Sequence, residues 1–419
     1  MIENMNSTPL ASRFTIGIFG RRNAGKSSMI NAITAQKIAV TSEVAGTTTD
    51  PVYKAMELLP IGPVVFIDTA GLDDTGDLGE LRVEKTYEVM RKCDFAIVVV
   101  DAQIGITTFE ENLFKELKDR GIACICVVNK VDKVDKLENT NLTKQKLPDS
   151  VPVVYASAET GKGIDEVKRQ IIANAKIDAA PPLISDLIKT GDIVVLVIPI
   201  DKAAPKGRLI LPQQQVIRDI LDSNASAVLT KENELKKTLE SLNTPPAIVV
   251  TDSQVFQEVS ANVTEDIPLT SFSILFARQK GNLTEMVRGA KAIERLGPND
   301  RVLIVEGCTH HRQEDDIGTV KIPRWIRQIA GDDIKFEWVS GVSYPQKLDQ
   351  FSLVVHCGGC MLNRREMQYR IAQAREYGVP ITNYGVLIAY IKGILGRALT
   401  PFPEAKRVFE EDFIKQNNK

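Results

Sequence analysis

The sequence predicts an α/β protein of three domains: a doubly wound N-terminal domain over residues 1–178, a small α/β domain over 179–265, and a C-terminal α/β domain over 266–419. Three observations predict it. Short apolar runs alternate with amphipathic stretches along the chain, the pattern of parallel strands joined by helices. Pro181 and Pro182 interrupt helix and strand alike after the first block, and the softer stretch Ala261 to Thr270 separates the second from the third. A chain of 419 residues, 43% hydrophobic and 25% charged, is long enough for two or three separate cores.

In the first block the strand candidates are FTIGIF, VVFID, FAIVVV, IACICVV and VPVVYA, separated by helical segments such as Leu78 to Arg91. The second block offers IVVLVIPI (Ile193 to Ile200), AVLT and AIVV, with helices around Val216 to Leu221 and Glu232 to Leu242. The third offers RVLIVEG, KFEWV, SLVVHCG and ITNYG around helices Leu283 to Leu296 and Asn363 to Tyr377. No short-period repeat and no low-complexity tract stands out. The net charge of -2 supplies no basic field, which argues against a protein devoted to nucleic acid. The N-terminus lacks the basic start and apolar centre of a signal peptide, and no apolar run approaches the roughly 20 residues of a membrane span, so a cytoplasmic protein is expected. Six cysteines are too few for a disulfide framework in so long a chain and read as buried thiols or metal ligands.

Directly after FTIGIF comes Gly20-Arg-Arg-Asn23-Ala24-Gly25-Lys26-Ser27, followed by Ser28 and an amphipathic run. This is the phosphate-binding P-loop, G-x-x-x-x-G-K-S/T, in its required setting between strand and helix. The glycines let backbone amides approach phosphates, the helix aims its positive end at them, and Lys26 adds a cation. Ser27 is expected to ligand magnesium. Four further pieces follow in the order of a GTP-hydrolysing domain. Gly46-Thr-Thr48-Thr-Asp50 supplies a first-switch hydroxyl, assigned to Thr48. Asp68-Thr-Ala-Gly71 ends VVFID, so Asp68 holds the magnesium shell while the Gly71 amide senses the γ-phosphate. In Asn129-Lys130-Val-Asp132 a carboxylate accepts both N1–H and the exocyclic amine of guanine, a donor pair that adenine lacks. Ser157-Ala158 completes the base pocket through a backbone amide.

On these motifs the first block resembles the GTPases of the Era and tRNA-modification (TrmE-like) group. That resemblance implies a P-loop GTPase domain using GTP and Mg2+. The residue after Asp68-Thr-Ala-Gly71 is Leu72, where Ras-like proteins carry a water-positioning glutamine. In the tRNA-modification relatives a P-loop asparagine helps bind K+ in place of an arginine finger, and Asn23 matches that position. Glu80, twelve positions past Asp68, matches the glutamate that orients their attacking water.

A second chemical signal lies in the third block, as Glu306-Gly-Cys308-Thr-His310-His311 and His356-Cys357-Gly-Gly-Cys360. Both groups follow strand candidates, so in a parallel sheet they emerge at the same carboxyl edge. Three thiolates with a nearby imidazole suit either a closed zinc site or an iron-sulfur cluster with three cysteine ligands. Cys93, Cys124 and Cys126 sit in or beside apolar runs and read as core thiols.

The combination of a GTPase domain, a small middle domain and a C-x-H…H-C-x-x-C pattern resembles the GTPase family of iron-iron hydrogenase maturation, over nearly the whole chain. The resemblance implies a small α/β dimerisation domain built on IVVLVIPI and a C-terminal α/β iron-sulfur cluster domain. It implies a scaffold that binds a 4Fe-4S cluster through Cys308, Cys357 and Cys360, with His310 or His356, Glu306 or an exchangeable group as fourth ligand. Its partners would be two radical S-adenosylmethionine maturases, which supply a transient diiron precursor, apo-hydrogenase, which receives it, and further copies of the chain in a homodimer or higher homo-oligomer. The other classes are an RNA-modification or ribosome-assembly GTPase with a C-terminal zinc site, and a zinc-stabilised switch that only binds proteins.

Overall fold

The computed structural model describes residues 9–35, 52–69, 77–134, 147–148, 150–176, 181–200, 209–307, 316–341 and 343–417. The chain divides into two compact units, Met1–Ala179 and Ala180–Lys419.

In the first unit β1 (Phe14–Phe19), β2 (Val52–Leu58), β3 (Gly62–Asp68), β4 (Phe95–Asp101), β5 (Ala123–Asn129) and β6 (Val153–Tyr155) form one sheet in the order β2-β3-β1-β4-β5-β6. All neighbours pair in parallel except β2 with β3. Among the described residues its α-helices are α1 (Lys26–Thr34), α2 (Asp77–Lys92), α3 (Thr108–Asp119) and α4 (Ile164–Asn174). The central strands alternate between two cores. Phe95, Ile97 and Val99 join the one that holds Met29 and Val167, whereas Ala96, Val98 and Val100 join the one that holds Phe114 and Leu117. Strands buried on both faces are why the sequence shows unbroken apolar runs there. Strand β2 is absent from the sequence expectation because it is an edge: VYKAMEL carries polar residues and is exposed along most of its length.

The second unit holds two sheets. The first has β7 (Ile193–Val197), β8 (Ser226–Thr230), β9 (Ile248–Thr251) and β10 (Leu269–Ser271) in the order β10-β9-β7-β8. The second has β11 (Arg301–Glu306), β12 (Lys335–Ser340), β13 (Leu353–His356) and β14 (Ile381–Asn383) in the order β12-β11-β13-β14. Every pairing is parallel. The helices, in chain order, are α5 (Leu211–Asp222), α6 (Leu235–Ser241), α7 (Phe256–Asn262), α8 (Phe272–Lys280), α9 (Leu283–Lys291), α10 (Ile322–Ala330), α11 (Arg364–Glu376), α12 (Tyr384–Ile391), α13 (Leu395–Ala398) and α14 (Pro403–Asn417).

Two expectations change here. IVVLVIPI forms a strand only to Val197, since Pro199 cannot continue a central ladder, and β7 is an internal strand paired on both sides. The middle sheet also runs past residue 265, because β10 pairs with β9 through Leu269–Val249 and Thr270–Val250. A three-residue strand is too short to show a period in the sequence. One hydrophobic core runs through both sheets, from Leu183 to Ala405, so the second and third sequence blocks form a single packed unit.

Candidate functional site

The P-loop conformation follows from its glycines and one asparagine. Gly25 has φ of 95°, and a Cβ there would lie 2.3 Å from the Asn129 amide nitrogen. Asn23 also takes a left-handed φ, of 61°. Lys26 donates from Nζ to the carbonyls of Gly20 and Arg21, both at 2.9 Å, which holds its ammonium against the loop. Ser28 lies exposed on the first turn of α1.

Ser27 Oγ donates to Asp68 Oδ2 at 2.5 Å, joining the start of α1 to the end of β3. Burial pushes the Asp68 carboxyl above the usual carboxylate range, opposed by the Ser27 hydrogen bond and the Lys26 charge. Its second oxygen, Oδ1, is buried with no hydrogen-bond partner among the described residues. A hydroxyl and an orphaned carboxylate oxygen side by side fit a hard divalent cation such as Mg2+.

Asn129 acts as a brace. Its Nδ2 donates to the Ala24 carbonyl and its Oδ1 accepts from the Ala158 amide, both at 3.0 Å, so one side chain ties the P-loop to the loop after β6. Lys130 donates from Nζ to the Asn23 carbonyl at 2.6 Å and to Asp101 Oδ2 at 2.7 Å. The buried Ser157 hydroxyl hydrogen-bonds Asp132 and, more than any other group, holds that carboxyl below its ordinary range. The carboxylate therefore stays a hydrogen-bond acceptor.

Sequence reasoning overlooked Asp101 and Glu110. Asp101 ends β4 and steadies Lys130, while Glu110 pairs with Arg21 of the P-loop at 3.2 Å. The acidic residue closing the run FAIVVVD was the legible sign of the first. Thr48 and Gly71 lie outside the described residues, and so does the side chain of Glu80, which falls in the first turn of α2. Gly25→Ala combines a strained φ with a clash against the Asn129 brace. The expected result is at least a roughly tenfold loss of GTP affinity, measured by calorimetric titration.

In the second unit, β11 and β13 are neighbours, with Val305 opposite His356. The chain leaves β11 for β12 on one side and returns to β13 on the other, so their carboxyl ends form a topological switch point, where open α/β sheets bind ligands. Glu306-Gly307 and His356-Cys357 emerge there together, as the sequence predicts. Cys308, His310 and His311 lie outside the described residues. Cys357 Sγ accepts from the Gly307 amide at 3.0 Å and the Gly359 amide at 3.4 Å. Backbone donors of this kind stabilise a thiolate and tune iron-bound sulfur, so the loop fits an iron-sulfur cluster.

Lys280 Nζ donates to the carbonyls of Gly359, Cys360 and Leu362 at 3.1, 2.9 and 2.7 Å. Burial pulls its pKa down to about 8, against the opposing influence of the Cys360 and Cys357 sulfurs. Burial also pushes the Cys360 thiol up, and the Lys280 ammonium pulls it back. Glu306 is buried at the same edge and accepts from the Tyr384 hydroxyl at 3.5 Å.

His356 is not placed to be the fourth ligand. Its ring is fully buried, Nδ1 donates to the Cys357 carbonyl at 2.8 Å, and Nε2 accepts from Arg370 at 3.0 Å. Burial first, then the Arg370 charge, depress its pKa to about 3. Both nitrogens are committed, and the imidazole serves to seat the Cys357 backbone. Among the described residues no group of three or more metal-ligating side chains is assembled, Cys357 and Cys360 being the described members of the cysteine set. Cys124 and Cys126 behave as core thiols, with burial raising the first to about 11 and the second further.

No helix among the described residues is long and apolar enough to cross a membrane. Residues 15–130 match the family model of a 50S ribosome-binding GTPase. Residues 183–281 match the hydrogen maturase F dimerization domain and 284–401 its tetramerization domain. Similar proteins include the GTPase Der of Kosmotoga olearia, 35% identical over 187 residues covering 41% of this chain and 42% of that protein. The tRNA modification GTPase MnmE of Trichodesmium erythraeum is 31% identical over 175 residues, covering 41% of this chain and 37% of its own. The chain thus spans less than half the length of these curated relatives. Among solved structures, an Aquifex aeolicus Era variant bound to GDP.AlF4- aligns with a TM-score of 0.36 and 21% identity, over 51% of this chain and 91% of that one. The first unit is a GTPase domain, and the two hydrogen maturase F models together take in more than half of the chain. With a GTPase domain followed by both oligomerisation domains of that family, the chain belongs to the hydrogen maturase F family.

Proposed function

We propose that this protein is a GTP-hydrolysing scaffold in hydrogenase maturation, which holds a 4Fe-4S cluster at the β11/β13 edge and passes a diiron precursor to apo-hydrogenase. The observation that carries the reading is the Cys357 thiol at a switch point, accepting two backbone amides in a chain that also has a braced P-loop.

In the GTPase site Lys26 and the P-loop amides bind phosphate, Asp132 selects guanine, and Ser27 with Asp68 holds Mg2+, joined by Thr48 of the first switch. Mg2+ would neutralise charge on the phosphates. Gly71 senses the γ-phosphate and Glu80 orients the water. Asn23 contributes to a K+ position whose charge stands in for an arginine finger. Replacing K+ by Na+ is expected to slow hydrolysis at least about tenfold; equal rates in the two salts would remove the role assigned to Asn23.

At the metal site Cys308, Cys357 and Cys360 would supply three thiolates to the cluster, which would provide an iron for attaching the precursor. His310, Glu306 or an exchangeable group is left for that iron once His356 is committed to Arg370. Homo-oligomerisation through the second unit accords with its family models, and radical S-adenosylmethionine maturases are the proposed source of the precursor. Anaerobic reconstitution with iron and sulfide, followed by activation of apo-hydrogenase in the presence of those maturases, tests the whole reading. A zinc-loaded, colourless protein that does not activate the hydrogenase would sink it. An RNA-modification GTPase would share the first unit, but that reading gives no account of the cysteine loop.

A further inference from the structure

The unit that carries the cysteines is built twice. Its two sheets have the same strand order, and their registers agree: Val194 lies opposite Ile248 in the first, Val302 opposite Leu353 in the second. The turns agree as well. Asp192 accepts from the Lys189 amide and Asp300 from the Gly297 amide, both at 2.7 Å, just before β7 and β11. The Val249 and Val354 amides donate to the Pro268 and Pro380 carbonyls, both at 2.9 Å. The sequence repeats where each half ends: Pro268-Leu-Thr-Ser-Phe-Ser-Ile-Leu-Phe-Ala-Arg-Gln-Lys280-Gly-Asn-Leu against Pro380-Ile-Thr-Asn-Tyr-Gly-Val-Leu-Ile-Ala-Tyr-Ile-Lys392-Gly-Ile-Leu.

The halves meet at equivalent positions. Ser273 and Gly385 correspond, and a Cβ on Gly385 would lie 2.1 Å from that of Ser273; two residues before, Asn383 donates from side-chain Nδ2 to the Ser273 carbonyl at 3.1 Å. This is the packing of a pseudo-dimer, in which an element leaving one half reaches the other.

Lys280 is that element's end. It closes α8 in the cysteine-free half, yet its ammonium is buried in the cysteine loop of the other half, with three carbonyls around it and the Phe276 ring 5.4 Å away. Residues just past the loop grip the same helix end in return. Gln368 donates to the carbonyls of Lys280 and Gly281, and Arg364 to that of Gln279. The counterpart Lys392 is exposed and lies 5.2 Å from the Trp325 ring. Equivalent lysines have therefore diverged, and only one faces thiols.

We infer that Lys280 is the positioning residue of the cysteine loop: its three donors fix residues 359–362, and its charge beside Cys357 and Cys360 makes the bound cluster easier to reduce. The inference rests on the iron-sulfur reading for its second half only. The first half is tested in full-length, metal-free protein by amide hydrogen exchange. Lys280→Met is expected to raise exchange in the 357–364 segment about tenfold while β7 and α5 stay protected. Lys280→Gln, which keeps two donors without the charge, should fall between, and Lys392→Met should match the unchanged chain. Wild-type protection in Lys280→Met, or equal loosening in Lys392→Met, overturns the positioning role whatever metal binds.

If Lys280→Met proves insoluble, Lys280→Gln carries the same comparison. The second half is read on reconstituted protein by a redox titration followed by electron paramagnetic resonance. Both Lys280 variants should be about tenfold harder to reduce, a fall of about 59 mV for one electron, with GTP turnover unchanged. An unshifted potential overturns the electrostatic role. Failure of the unchanged chain to take up iron would instead overturn the cluster reading, leaving the exchange result to decide the positioning role.

Discussion

Cys357→Ser is expected to cut iron incorporation at least about 100-fold, beyond the roughly 10–100-fold that even changes behind the ligands cost a metal site. The hydroxyl is close in size, so the loop keeps its shape, but two donors now aim at a group that does not ionise near neutral pH. The Gly307 and Gly359 amides stabilise a sulfur anion; serine has no such anion to offer. Cys360→Ser should behave alike, because the Lys280 ammonium, hydrogen-bonded to the Cys360 carbonyl, favours a thiolate that serine cannot supply. GTP turnover should stay within about twofold, as expected for independent sites, since Cys357 and Cys360 belong to one compact unit and the P-loop to the other. Iron per chain after reconstitution and the visible absorption spectrum decide the matter. Unchanged iron content would exclude Cys357 as a ligand.

Lys26→Ala should do the reverse, lowering kcat for GTP about 10^2–10^3-fold, the scale for losing one preorganised charge-stabilising donor. The ammonium is held at the loop by two carbonyls rather than free on a long tether, so little ordering remains when phosphate arrives. Alanine removes both the charge and the two contacts that close the loop. Single-turnover hydrolysis with saturating nucleotide separates the chemical step from binding. A mutant with normal kcat and only a raised KM would show that Lys26 contributes uniform binding instead.

The nucleotide site was legible because its chemistry is local. The P-loop follows β1, Asp68 ends β3 and Asn129 ends β5, so Ser27, Asp68, Asn129 and Asp132 are found where strand-then-loop logic puts them. What stayed hidden were the braces between motifs. That Lys130 spans Asn23 and Asp101, or that Asn129 fastens Ala24 to Ala158, depends on side chains far apart in sequence meeting at one sheet edge. The edge strand β2 escaped notice because half-exposed residues carry a weak pattern, and β10 because it is only three residues long.

By itself, then, the sequence determined the α/β class, the order of the GTPase motifs and the shared carboxyl edge of Glu306 and Cys357, since apolar period and strand-end position are read residue by residue. Only the tertiary structure decided that the second and third blocks share one core as two copies of a single design. It also withdrew His356 from the ligand set by committing both its nitrogens, and brought Lys280 across from the cysteine-free copy to the cysteine loop. These are matters of burial and of partners distant along the chain: the cost of an unpaired buried ring or ammonium selects its neighbours, and no local pattern records which neighbours they are.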